Sequence, residues 1–563
     1  VVAHLDAGIV VMQEEPGRTY VPLGDEHVFA ADEGTPAVDP LASSSPDTGT
    51  NTNALASNTL SLVGGIALCC ADIIGSGIFA SPGIVLHWSG SVGASLLLWL
   101  LAGVITFVGF ACLAELSVLD PNAGGLFYYF RTTFGGAVAF SWTFINFTVV
   151  VPGSLGALSL TFAHYVASAV PNWNAGGFEA EADWRLKSVA CAAVATVVAL
   201  NSQSPAHGGG VAKVFLTATL LGCAFVFVLG VAFALGARWT SPEHYEAAAE
   251  SPSNFDPHTL FAGTRGPSSL AVGLVSALWA YAGAMDVASM GEELREPEKT
   301  LPKVGMTGLG IVSAAYIGMN VAYLLVLPAD VIDGSAGGAQ VDAMGVTFAR
   351  TVAGAWAGHV VTVVVAASSF GALNSCLYLS ARQFYAAARD GLFPAALAVT
   401  NARAAPHRAI FATGTLTIAL LWLLSSFATL VNYLSAAMWL YYGLVGVAVI
   451  VSRRKDPDVV RPYSMPGYPL VPALYVLMCT YLSACTFAAA PGPCAGALLF
   501  VAAAFPLHHV WFVWFPRRRR RLAAEGERRE RGESRRSEGL MESLLGRDDT
   551  ASPPLPASAP PLS

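Results

Sequence analysis

Residues 72–79, Asp-Ile-Ile-Gly-Ser-Gly-Ile-Phe, carry the first chemistry legible in this chain. They sit inside a long apolar stretch that reads as a membrane helix up to Ile74. Gly75 and Gly77, with the small Ser76 between them, remove helix propensity and side-chain bulk at one point. Phe79 resumes the apolar run, and Pro82 suits the first turn of a second half-helix. A helix interrupted in hydrocarbon frees N–H and C=O groups that must find partners. The N–H groups opening the second half favour a carboxylate, and the C=O groups closing the first half favour an ammonium. An α-amino acid zwitterion meets both needs.

A second interruption is expected at Trp279-Ala280-Tyr281-Ala282-Gly283-Ala284-Met285-Asp286, where small residues cluster at mid-span depth ahead of an acid. Close helix packing is the plainer use of such a cluster. Its place five spans after the first break favours a binding site, because matching breaks in two half-repeats mark transporter sites. Asp72 and Asp286 each lie one turn from a break. A charge at bilayer depth costs at least about 2.5–3.5 kcal/mol, so both are expected to face a cavity or a partner. Either could bind a cationic side chain, a coupling ion or a proton; the structural alternative is a carboxylate bonded to Ser, Asn or backbone groups in a wet crevice.

These motifs need a membrane bundle to position them, and the composition supplies one. The 563 residues are 54% hydrophobic and 12% charged, where a soluble domain carries about 25% charged, and the mean hydropathy is +0.55. About twelve spans of roughly 20 apolar residues follow, at 60–86, 93–118, 136–170, 186–203, 211–236, 268–292, 303–327, 351–386, 408–425, 430–451, 468–489 and 495–515. Alternate loops hold thirteen Lys and Arg on one side, from Arg131 to Arg461, against five on the other (Arg185, Lys187, Arg238, Arg265 and Arg350). That asymmetry places the basic side, the Arg517–Arg521 cluster and both termini in the cytoplasm. Residues 1–58 and 517–563 are polar, charged or Pro/Ser-rich and read as disordered cytoplasmic tails flanking a transporter domain at 59–516. The nine cysteines lack C-x-x-C spacing and read as small packing residues, not a metal site or disulfide framework. Asn146, although it opens an Asn-Phe-Thr sequon, lies within a span and reads as packing; His359 reads as a bonded core residue.

The run Gly75-Ser76-Gly77-Ile78-Phe79-Ala80-Ser81-Pro82-Gly83 resembles the first-helix signature of the amino acid–polyamine–organocation superfamily, most closely its L-type amino acid transporter-like branch. Four further stretches are similar to that branch in the same order. They are Ala114-Glu115-Leu116 with Asn122-Ala123-Gly124-Gly125, and Gly291-Glu292-Glu293-Leu294 with Pro297 and Leu301-Pro302. Phe370-Gly371-Ala372-Leu373-Asn374 with Ala381-Arg382 and Arg389-Asp390-Gly391 comes next, then Arg453-Arg454-Lys455 with Arg461-Pro462. The resemblance spans about residues 60–515 and implies an all-α LeuT-like fold: a 5+5 inverted repeat with discontinuous helices 1 and 6, two trailing helices, and alternating access.

It also implies roles. The N–H groups of Ser76, Gly77 and Ile78, beside Gly75, would hold the substrate carboxylate, and the carbonyls of Ile73, Trp279 and Ala282 its ammonium. Trp279 and Tyr281 would shape the pocket or its gate. Glu115, Glu292 and Glu293, with Arg131, Arg382 and Arg389, are candidates for ion pairs closing an inner gate. Departures narrow this. The loop from Pro171 to Lys187 has no cysteine, so the disulfide-linked heavy chain of some members is not expected. A tryptophan usual after the glycine pair in helix six is Ala284, a lysine midway along helix five is Thr219, and an asparagine in helix ten is Met438.

The expectation is a secondary active amino acid transporter, by exchange or proton coupling, in the plasma membrane, with an amino acid substrate, lipid as its surroundings, no cofactor, no metal and no nucleic acid. A polyamine or organic-cation transporter and a non-transporting amino-acid receptor on the same scaffold are the alternatives. Asp72, Asp286 and acidic exterior loops at 238–267 and 328–350 favour the former. No H-E-x-x-H, G-x-S-x-G or P-loop pattern supports an enzyme.

Overall fold

A computed structural model describes residues 60–514 apart from Ser76, 122–123, 171–172, 174–182, 238–253, 334–343 and 424–426. The expected tails therefore lie outside the described residues, as do Glu243, Glu246, Glu250 and Asp342 of the acidic loops. Residues 49–510 form one unit; of a second, made from the two chain ends, only 511–514 are described, as helical backbone.

The described backbone is helical throughout, with a single isolated strand-like bridge between Leu60 and Leu294. The first expected span is two helices, α1 (Leu62–Ile73) and α2 (Gly77–Ser89). Next come α3 (Val92–Leu119), the short α4 (Leu126–Phe134), α5 (Gly136–Ile145) and α6 (Val151–Ala169), the last two joined by a π turn at Asn146–Val150. Then α7 (Trp184–Gln203), α8 (Pro205–Ala234), α9 (Pro267–Ala280) and α10 (Pro297–Val326) follow. A 3-10 segment, Asp286–Glu293, lies between the last two. The chain continues with α11 (Ala329–Ile332), α12 (Met344–Ala353), α13 (Ala355–Arg389) and α14 (His407–Leu423). It ends with α15 (Phe427–Lys455), α16 (Leu470–Ala489) and α17 (Pro491–His508).

The described residues of the twelve apolar stretches are mostly helical, with breaks at 74–75, 281–285 and 354. Eight helices among the described residues are long and apolar enough to cross a membrane, and Leu62–Ile73, Pro267–Ala280 and His407–Leu423 are apolar but shorter. The first two are short because each is half of an interrupted span. Local chemistry sets many of the starts. Ser61 and Ser91 accept from the N–H groups of Gly64 and Ala94, and proline occupies the first turn of α9, α10 and α17.

Three expectations change. Pro82 is not in the first turn of α2: the helix starts at Gly77, so proline falls at its sixth residue. The eighth span does not begin at 351, because Gly354 at φ +83° separates α12 from α13. His359 is exposed on the outer face of α13 beside Trp356, Val360 and Val363, not bonded in the core. Asn146 is buried as expected, its amide donating to the Trp142 carbonyl at 2.9 Å.

The interior packs through small residues, which replace the hydrophobic drive that lipid cannot supply. Gly308 of α10 meets α1 at Cys69, and Gly230 of α8 meets α10 at Ala322. Cys69, Cys70, Cys112, Cys223, Cys479 and Cys494 are buried, and all nine cysteines are unpaired. Leu97, Leu100, Val214, Leu221, Val363 and Leu477 point outward, as a lipid-facing surface requires.

At Gly230 a Cβ would stand 2.9 Å from the Ala322 Cα, a backbone atom that no rotamer change can move away. Gly230→Leu is expected to cost about 1–3 kcal/mol through overpacking. Thermal unfolding in detergent should shift several degrees lower, and an unchanged midpoint would refute this contact.

Candidate functional site

Helix geometry leaves the last carbonyls of α1 and α9 and the first N–H groups of α2 without intrahelical partners. α1 ends at Ile73, Ile74 and Gly75 leave the helix, Ser76 lies outside the described residues, and α2 starts at Gly77. α9 ends at Ala280, and Tyr281–Met285 turn through Gly283 at φ +97° into the 3-10 segment. That backbone conformation favours glycine.

The two interruptions face each other. A Cβ on Gly77 would lie 3.1 Å from the Ala280 Cα, and one on Gly283 would lie 2.6 Å from the Asp72 Oδ2. Gly75 is closed in by Leu158 of α6 and Ala372 of α13, at 3.1 and 3.3 Å from its Cβ position. Gly75, Gly77 and Ile78 are all buried.

Two hydroxyls hold the breaks together. Tyr316 of α10 donates to the Ile73 carbonyl at 3.1 Å and the Ala280 carbonyl at 2.8 Å, bridging the ends of α1 and α9. Ser368 of α13 donates to the carbonyls of Ile74 and Gly75 at 3.0 and 3.2 Å. Sequence reading missed both. Ser368-Ser369, a polar pair inside an apolar run, was a usable signal; Tyr316 had none, because a tyrosine in a span is as common at the lipid interface.

Of the expected ammonium acceptors, the Ile73 carbonyl already accepts from Tyr316 and the Gly75 N–H (2.9 Å), and the Trp279 carbonyl from the Ala282 N–H (3.1 Å). Ala282 is exposed on the wall of a cavity of about 120 Å³. Trp279, 44% exposed, and Tyr281, 2% exposed, line it too, and the Tyr281 ring packs on Tyr316 at 5.0 Å. The other walls come from Ile105 and Thr106 of α3, Val150 and Ser154 beside the π turn, Met438, Trp439 and Tyr442 of α15, and Tyr475 of α16. Among the described residues, all the lining side chains are uncharged and none belongs to α1 or α2. The π turn that precedes Pro152 brings Val150 and Ser154 to this wall; the proline has no N–H to continue the ladder.

The acidic candidates separate. Asp286 accepts from the Gln383 side chain at 2.8 Å. Asp72 is 9% exposed and its Oδ2 has no hydrogen-bond partner among the described residues. Glu293, fully buried, pairs with Arg382 at 2.5 Å and accepts from the Tyr378 hydroxyl. Glu292 pairs with Arg389 at 2.6 Å, and Arg131 with Asp390. Glu115 does not join that group. Its carboxylate takes Arg453 through two bonds of 2.7 Å, the Met465 N–H at 2.8 Å and Arg461 at 3.3 Å, fastening the α15–α16 connection to α3.

A sequence profile of the amino acid permease family matches residues 60–512. The chain is 30% identical over 459 residues to the large neutral amino acids transporter small subunit 2 of Rattus norvegicus, covering 81% of each protein. It is 30% identical to the b(0,+)-type amino acid transporter 1 of Mus musculus, over 75% of this chain and 81% of the relative. With the human cystine/glutamate transporter it shares 28% identity over 81% of this chain and 85% of the relative.

Removing the Tyr316 hydroxyl takes the donor from the Ala280 carbonyl and leaves the Ile73 carbonyl only the Gly75 N–H, at about 1–3 kcal/mol for the group left unsatisfied. Tyr316→Phe is therefore expected to lower thermal stability and speed hydrogen exchange of the backbone at 281–285. If exchange there is unaltered, the bridge does not hold the breaks.

Proposed function

The chain belongs to the amino acid permease family, and from that premise we propose a secondary transporter of neutral amino acids that works by alternating access. One observation carries the reading: two interrupted helices meet end to end beside a cavity walled by uncharged side chains. The carboxylate is assigned to the N–H groups opening α2, at Gly77 and Ile78, with Ser76 adjoining them in sequence. Helix geometry leaves these donors unpaired and the macrodipole favours an anion there. The ammonium is assigned first to Ala282, on the cavity wall; Ile73 and Trp279 become acceptors only as their internal bonds exchange.

Alternating access follows from what blocks the route. The cavity reaches the α9 break but not α2, because Gly77 is pressed against Ala280. A zwitterion spanning both poles requires that contact to part. Trp279, Met438, Trp439 and Tyr442 would then surround the substrate side chain, a surface suited to apolar groups. The polyamine reading loses support here, since Asp286 is engaged by Gln383 and neither acid lines the cavity.

The pairs Glu293–Arg382 and Glu292–Arg389 join the end of the interrupted α9 span to α13, and we assign them to an inner gate. On the lysine and arginine asymmetry we assign that end, and both termini, to the cytoplasmic side, and the protein to the plasma membrane. The reading includes no disulfide-linked partner, because residues 171–187 hold no cysteine.

In proteoliposomes, labelled leucine is expected to exchange against internal leucine, with arginine slower and putrescine inactive. Gly77→Ala should cut leucine exchange at least about tenfold, because its methyl sits 3.1 Å from the Ala280 backbone and overpacking of that size costs about 1–3 kcal/mol. Leucine binding without flux would identify a receptor; rapid putrescine flux would move the assignment to organic cations.

A further inference from the structure

One carboxylate in the interior lacks what the other buried acids have. Glu115 and Glu293 are buried against arginines and Asp286 accepts from Gln383, but the Oδ2 of Asp72 has no partner and faces Gly283. The titratable groups near it offer no counter-charge. Asp286 of the 3-10 segment, Cys376 of α13, Tyr442 of α15 and Cys69 of its own helix are its electrostatic neighbours. On α10 the Tyr316 hydroxyl is committed to the Ile73 and Ala280 carbonyls. On α8 Lys213 meets α1 at Gly64, its Cε 3.5 Å from the Cβ position there, about two turns from Asp72.

An ionised carboxylate in this position would stand in a water-poor interior beside a second acid. The penalty for such a buried, unpaired charge is several kcal/mol. A metal ion is a poor remedy, because hard cations need a shell of several oxygens. The nearby carbonyls are taken: those of Ile73 and Ala280 by Tyr316, those of Ile74 and Gly75 by Ser368. No cluster of three His, Cys, Asp or Glu suited to a metal exists among the described residues. A proton needs a single acceptor.

We propose that Asp72 is a proton-binding site of the carrier, and that the breaks in the two helices close on each other only when Asp72 carries a proton. The inference rests on the transport reading above and assigns the ion that controls it. When the proton leaves to water, a negative charge remains against Gly283 and next to Asp286, and the α1 and α9 ends are driven apart. Opening hydrates the acid; taking a proton from water restores the neutral contact. Only the carboxyl O–H bond breaks and re-forms, its proton passing to water and back; no bond between heavy atoms changes.

The test is leucine counterflow in proteoliposomes with equal pH on both sides, from acid to alkaline, in sodium and in N-methylglucamine buffers. Because leucine enters only when the breaks part, wild-type flux should fall by about tenfold per pH unit on the acid limb, as single-site protonation requires. It should be the same in both buffers. In Asp72→Asn, a fixed neutral side chain, the remaining flux should be independent of pH. A shared pH profile in the two proteins, or a wild-type requirement for sodium, overturns the proposal while leaving amino acid transport standing. If wild type shows no flux at any pH, the transport reading fails. The site is then judged by infrared difference spectra: a protonated-carboxyl C=O band in wild type at neutral pH, absent in Asp72→Asn, supports it. No such band in wild type refutes it, whether or not the variant assembles.

Discussion

Hydrocarbon does not hydrogen-bond, and the whole arrangement depends on how this chain satisfies backbone groups where two of its helices stop midway. Elsewhere the ladder within each helix does that work. At Ile73, Ile74, Gly75 and Ala280 it cannot, and hydroxyls from α10 and α13 take over. Tyr316 binds both broken helices at once, so the two interruptions form one unit. A substrate that offers its own ammonium competes for the same class of carbonyl acceptors. The donors that stabilise the substrate-free state and the solute that fills the site are, in this view, interchangeable partners for the same backbone atoms.

Charge is distributed by a similar logic. Where the acids are structural they come with partners: Glu115 takes two arginines and a backbone N–H, and Glu293 takes Arg382 and Tyr378. Removing one member of such a buried pair is costly because the other is left uncompensated, about 3–5 kcal/mol. These clusters bind neighbouring elements: α3 to the α15–α16 connection, and the 3-10 segment to α13. Asp72 breaks the pattern where the two interruptions meet, its Oδ2 unpartnered among the described residues beside Gly283.

The proposed transport reading gives selection to the cavity. Its aromatic and aliphatic walls come from helices far apart in sequence, α3, α6, α9, α15 and α16. In the proposed reading, with no charge on those walls, discrimination falls to shape and apolar contact and the zwitterion to main-chain groups.

The sequence by itself determined the all-helical membrane class, the positions of the apolar stretches and both interruptions. Each is a local property: glycine and small residues weaken a helix wherever they fall, and hydropathy is additive along a span. It also placed Glu292, Glu293, Arg382 and Arg389 near one another, since all lie at helix ends on the basic side. Only the tertiary structure decided which hydroxyls cap the breaks, that Glu115 answers to Arg453 and Arg461 and not to Arg131, that His359 faces outward, and that Asp72 is alone while Asp286 is bonded. Those outcomes depend on helix rotation and on contacts between residues hundreds of positions apart. Apolar periodicity is nearly silent about them in a bundle whose outer face is as hydrophobic as its core.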